Sequence, residues 1–132
     1  GVTVVEDTSN PGTGDVSSIL MTNTILVNHA IGITVTSGCT ATLEATLWHA
    51  NVTDRAGAGI LDHTNDHSGD PAFAADGYHL KSDSAALDRG VNAGVITDID
   101  GDKRPIDGAY DIGVDERSML RLIYLPLVVR QD

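Results

Sequence analysis

Apolar positions along this chain fall in short runs with a period of two, separated by Gly, Asn, Pro and Thr. Nowhere do they keep the i, i+3, i+4 spacing of a long amphipathic helix, so the pattern predicts strands joined by tight turns. Val2-Thr3-Val4-Val5 reads as a short strand, and DTSNPGTGD at 7–15 as a turn-rich loop. NTILVNH at 23–29 and ATLWHAN at 45–51 align at a spacing of 22, which matches Thr24 with Thr46, Ile25 with Leu47 and Leu26 with Trp48. Between them IGITVTSG at 31–38 alternates Ile31, Ile33 and Val35. Short strands repeating at such an interval are the pattern of stacked coils, in which each coil buries its inward residues on the next. Two similar strands in an antiparallel sandwich would give the same local pattern.

From Gly57 onward the runs shorten. GDPAF, YHL, SAALDRG and YDIGVDE are small apolar anchors among Asp- and Gly-rich turns, and SDSAALDRG predicts one helical turn, capped by Ser82 or Ser84 and ended by Gly90. The pattern then reverses in RLIYLPLVVR at 121–130. The expected organisation is a single all-β domain over 1–132, with coils over 1–56, a loop and strand region over 57–117, and an apolar tail strand over 118–132.

Composition sharpens this picture. Of 19 acidic residues sixteen are Asp and only three Glu, a balance that favours turns and caps over helices. The formal net charge of -11 argues against a phosphate-binding surface of clustered Lys and Arg, so no nucleic-acid partner is expected. The charge is unevenly placed: residues 54–115 hold thirteen acids against five bases, whereas 116–132 hold three Arg against two acids. The single cysteine, Cys39, excludes an internal disulfide and reads as a small buried hydrophobe. The longest apolar run is about half of what a membrane span needs. No basic-then-apolar leader opens the chain, and Gly1 fits a processed start.

Candidate chemistry is sparse. In DIDGDKRP, Asp98, Asp100 and Asp102 alternate around a glycine, so a turn could converge three carboxylates on Ca²⁺. The bidentate Glu of a calcium loop is missing, with Ala109 in its place. The same residues equally suit a turn in which Asp side chains cap backbone amides and pair with Lys103 or Arg104. HTNDHSGD brings His63, Asp66, His67 and Asp70 close in sequence, but a shared metal at i, i+4 needs a helix, and Asn65, Ser68 and Gly69 point to a solvated loop. No nucleophile elbow, zinc-protease, phosphate-loop or paired-cysteine motif is present, and with so many acids a glycosidase-like carboxylate pair carries no information. Trp48 and Tyr78 could stack on a sugar, although Trp48 aligns with Leu26 as a coil residue. Asn51-Val52-Thr53 fits a glycosylation acceptor.

GDPAFAADGYHLKSDSAALDRG at 69–90 followed by TDIDGDKRPIDGAYDIGVDE at 97–116 resembles the C-terminal region of secreted bacterial right-handed parallel β-helix proteins of the choice-of-anchor Q type. Gly69-Asp70-Pro71 with Phe73, Tyr78-His79-Leu80, Asp88 with Gly90, Asp98 to Asp102 with Arg104-Pro105, and Tyr110 to Gly113 with Asp115-Glu116 carry the likeness. It implies a right-handed parallel β-helix, here of two to three coils, and an extracellular or cell-surface location. So few coils leave little groove for polysaccharide chemistry.

In the tail, Leu122, Ile123, Leu125, Leu127, Val128 and Val129 would each gain about 1.5–3 kcal/mol on burial. Their sum, on the order of 10 kcal/mol, is comparable to the net stability of a domain. With Tyr124 they predict a strand that must be covered, either by its own domain or by a neighbouring subunit's sheet. Pro126 confines that strand to an edge. The expectation is a non-catalytic, secreted structural module that self-associates through Leu122, Ile123, Tyr124, Leu125, Leu127, Val128 and Val129 as a homo-oligomer or filament. The alternatives are a carbohydrate-binding or polysaccharide-lyase-like fragment using Ca²⁺, and a passive C-terminal cap of a larger surface protein.

Overall fold

The computed structural model describes residues 2–5 and 16–118. Seven strands occur among them: β1 (Val2–Val4), β2 (Ser18–Val27), β3 (Ile31–Val35), β4 (Thr40–His49), β5 (Thr53–Ala56), β6 (Ile60–Thr64) and β7 (His67–Ser68). Every ladder pair between them is parallel. One sheet runs β1-β3-β5 and the other β2-β4-β6, with β7 also on β4, and neither closes into a barrel. From β1 to β6 the chain thus crosses from one sheet to the other at each step and returns beside its previous pass. The sandwich alternative is excluded, because its strands would pair antiparallel.

The register is the one written in the sequence. Thr24 pairs with Thr46, Ile25 with Leu47 and Leu26 with Trp48, and Ile31 pairs with Thr53 at the same interval of 22. The next pass is shorter, pairing Thr40 with Ile60 and Leu47 with His67 at an interval of 20. Parallel pairing therefore continues through Ser68, well into the Asp-rich stretch.

Left-handed residues break the long passes. Asn23, Ala45 and Asn65 have φ of 51°, 55° and 54°, and the ladder skips Asn23 and Ala45 between Thr22↔Glu44 and Thr24↔Thr46. Such a residue re-aims the chain and exchanges which side chains face inward. Before the break Ala41 and Leu43 point inward with Ile19 and Met21; after it Leu26 and Trp48 do. They meet Val4, Ile33, Val35 and Cys39 in the core between the sheets. Cys39 and Trp48 are buried there, as the pattern anticipates.

Ile25, Ala45 and Leu47 face the opposite way, and residues 69–118 fold over them. Leu80, Ala86, Leu87 and Ile112 are buried on this face, with Phe73 and Val91 beside them. This layer contains no ladder strand among the described residues, only isolated antiparallel bridges such as Phe73↔Leu80 and Gly90↔Tyr110. The expected helical turn near Ser84 is a non-helical turn: the Ser84 hydroxyl accepts from the Ala86 amide at 3.1 Å, and no helix occurs among the described residues.

Two junctions pin the layers together. The Asn23 side chain donates to the Val91 carbonyl at 2.7 Å and accepts from the Val91 amide at 2.8 Å. Beside it, a side chain on Gly90 would strike the Asp111 carbonyl oxygen at 2.5 Å, so only glycine lets the two backbones approach. Between passes, Asn51 accepts from the His29 amide and donates to the Leu26 carbonyl and to Asp54, each at 2.9 Å. The Asn51 side-chain nitrogen, the atom a glycan would occupy, is thus engaged in clamping two passes together.

Candidate functional site

A layer without strands must satisfy its backbone amides in some other way. Carboxylates do this. Asp98 accepts from the amides of Asp100 at 2.9 Å and Asp102 at 2.8 Å through one oxygen, and from the Glu116 amide at 3.1 Å through the other. Asp111 accepts from Asp88 and Arg117 amides at 2.7 and 2.8 Å, and Asp115 from the Leu80 amide at 2.7 Å. Glu116 accepts from Asp111 and Ile106 at 2.6 and 2.9 Å. Burial pushes the Asp98 carboxyl up, but the backbone amides of Glu116, Asp102, Asp100 and Gly101 outweigh it and hold the carboxyl below its usual range. At Asp111 burial wins, and its carboxyl is raised despite the amides of Arg117 and Asp88.

Arg104 is the buried counter-charge. Its guanidinium donates to the carbonyls of Gly113 at 2.9 Å and Asp111 at 2.7 Å and lies 3.1 Å from the Glu116 carboxylate. It therefore serves the interior of the layer, and does not stand beside an acidic triplet on an exposed groove.

The candidate calcium residues take different partners. Asp98 is occupied by amides, Asp102 is exposed, and Asp100 turns to His79, its carboxylate 2.6 Å from Nε2. The other imidazole nitrogen meets Asp76 at 2.7 Å. His79, Asp100 and Asp115 form the one compact group of potential ligand atoms among the described residues, within 4.8 Å of one another. Hydrogen bonds from the carboxylates of Asp76 and Asp100 push the His79 imidazole up to about 9, and the bond to His79 with those to two amides holds Asp76 down to about 2. His79 thus lies between the carboxylates of Asp76 and Asp100 and ties the 76–79 turn to the 98–102 turn. The sequence pattern missed it because its partners lie on separate loops.

In the HTNDHSGD stretch, His63 lies 2.9 Å from Asp66, and Arg55 contacts both. His67 is a strand residue paired with Leu47, and Asp70 caps the Ala72 amide at 2.7 Å. Tyr78 packs on His79 with ring centroids 4.4 Å apart. Trp48 is buried in the core, so it offers no sugar platform.

The remaining feature is an edge. β2 pairs only with β4, and its other side has no strand partner among the described residues. Alongside that edge runs a cavity of about 410 Å³ lined by Thr22 and Asn23 of β2 and by Val95, Ile99, Tyr110 and Val114 of the loop layer. A second depression of about 380 Å³, lined by Ile25, Phe73 and Tyr78, lies across the Gly113-Val114 segment from it. Val95, Ile99 and Val114 are all more than half exposed, and Leu20 on β2 is 71% exposed. Val95, Ile99 and Val114 share the lining of the first cavity, and beside them the Gly113 amide donates to the Asn23 carbonyl of β2 at 3.0 Å.

The residues expected to self-associate, Leu122, Ile123, Tyr124, Leu125, Leu127, Val128 and Val129, lie outside the described residues. No helix among the described residues is long and apolar enough to cross a membrane. No family model, no curated protein and no solved structure matches this chain.

Proposed function

We propose that the protein is a non-catalytic structural module, a short right-handed parallel β-helix of two to three coils, that self-associates through its apolar C-terminal segment. The location that goes with this reading is extracellular or cell-surface, as the resemblance to choice-of-anchor Q proteins implies. The observation that carries it is the parallel stack itself: β1 and β2 bound it on one side, and β5 and β6 on the other, with no strand partner beyond either among the described residues. Parallel edges of the same polarity continue one another head to tail, and a repeat of that contact that does not close gives a filament.

The side-chain chemistry supports a structural role: Asp98, Asp111, Asp115 and Glu116 are engaged with backbone amides, the buried Arg104 is paired with Glu116, and His79 bridges Asp76 and Asp100. The acidic body supplies the opposite charge for the tail: Arg121 and Arg130 against Asp132 leave residues 119–132 at +1, so residues 1–118 carry -12 of the chain's -11.

The test is light scattering and electron microscopy on the full chain and on a variant lacking residues 120–132. Assemblies in the first and none in the second are expected. Assembly that survives the deletion overturns the reading.

A further inference from the structure

We infer that His79, Asp100 and Asp115 bind a divalent first-row metal ion, Zn²⁺ by the chemistry of the set, and that the ion fastens three segments of the loop layer to one another. Their ligand atoms lie within 4.8 Å of one another. The inference is independent of self-association, since it concerns how the layer holds together.

Asp115 carries it. The residue is only 6% exposed, yet no Lys or Arg among the described residues forms an ion pair with it. One carboxylate oxygen accepts from the Leu80 amide at 2.7 Å, and among the described residues no hydrogen bond reaches the other. A carboxylate withdrawn this far from water is paired with a charge or coordinates a metal. The nearby base, His79, is bonded at both nitrogens to other acids, Asp76 at 2.7 Å and Asp100 at 2.6 Å. Three carboxylates thus gather around one imidazole, an excess of negative charge that a dication offsets.

The hold on His79 is a second, separate sign. Asp76 accepts the Tyr78 and His79 amides at 3.1 and 3.0 Å through one oxygen and meets Nδ1 through the other. With Nδ1 fixed, Nε2 is the nitrogen turned to Asp100. A carboxylate that orients one imidazole nitrogen and leaves the other for an ion is the usual support of a metal-binding histidine. The ion replaces the proton shared by Nε2 and Asp100, and that proton goes to solvent. Neighbouring ligands on a tetrahedral zinc ion stand about 3.3 Å apart, so the group closes on one by shifts of about an ångström. Asp100, whose side chain is 54% exposed, has room to make them.

One imidazole with two carboxylates selects a first-row ion over Ca²⁺, which takes oxygen ligands. The set therefore differs from the all-oxygen calcium turn of Asp98, Asp100 and Asp102, and shares only Asp100 with it.

The test is isothermal titration of the full chain, stripped by chelator, with ZnCl₂ and separately with CaCl₂. One zinc ion per chain is expected, with Ca²⁺ at least about a hundredfold weaker. Zinc at about a hundred times its dissociation constant is expected to raise the melting temperature by about 10 °C. His79→Ala and Asp115→Asn are each expected to weaken zinc at least about tenfold; the asparagine keeps an oxygen for the Leu80 amide, so the layer retains that contact. His63→Ala removes the imidazole of the separate His63–Asp66 pair and is expected to leave binding unchanged. No saturable uptake of one ion per chain, uptake that survives both His79→Ala and Asp115→Asn, uptake lost in His63→Ala, or a preference for Ca²⁺ overturns the site.

Discussion

At the scale of single residues, the protein uses aspartate as a backbone partner. Sixteen Asp suit a chain in which residues 69–118 form a packed layer with no strand ladder. The role of Asp98 was legible, because alternating Asp around a glycine suits a turn in which a side chain accepts amides. The role of Glu116 was not: its partners Arg104, Ile106 and Asp111 meet it only once the loops close. Removing one member of a buried, hydrogen-bonded ion pair strands the other charge, so Glu116→Ala should cost about 3–5 kcal/mol in denaturant unfolding. His79 sets a pH dependence whose sign is fixed. Its pKa is raised from 6.5 to about 9, so its contribution is full below 6.5 and is lost as pH rises through about 9. Asp76 is lowered from 3.8 to about 2, so its contribution is full above 3.8 and is lost as pH falls through about 2. The gap in melting temperature between the native protein and His79→Ala should therefore shrink between about pH 6 and about pH 10. A constant gap would mean that the imidazole is not clamped as charged.

At the scale of elements, the stack rests on a register and on left-handed breaks. The register was visible from Thr24-Ile25-Leu26 against Thr46-Leu47-Trp48, because parallel stacking puts chemically similar residues directly above one another. The third pass was hidden. It is displaced by 20 residues instead of 22, and its outer residues Asp62, His63 and His67 give it the look of a solvated loop. The breaks were hidden too, since Ala45 and Ala50 adopt the left-handed region that sequence rules assign to Gly and Asn. Ala50 is exposed with φ of 52°, and the matched position one pass earlier holds Asn28 at 60°. Relief of that conformation should make Ala50→Gly more stable by up to about 1 kcal/mol, read from the denaturation midpoint. Leu43, fully buried between the sheets, should cost about 2–5 kcal/mol on truncation to Ala.

At the scale of the whole molecule, the loop layer is a cover for one flank of the stack: it packs on Ile25, Ala45 and Leu47, and the outermost strands have no strand partner beyond them among the described residues. The sequence made the need for shelter plain at residues 122–129, where six aliphatic side chains follow one another almost without interruption. It could not show the apolar cavity beside β2. Val95, Ile99 and Val114 are scattered through an Asp-rich stretch, and become one groove only when folding sets them against Thr22 and Asn23. The most direct test of the account is the mass of the protein in solution, by sedimentation equilibrium over a concentration series. The expected mass rises with concentration above the 13.8 kDa of one chain for the full sequence, and stays at that of one shortened chain when residues 120–132 are removed. A full-length protein that sediments as a single chain throughout the series would contradict it.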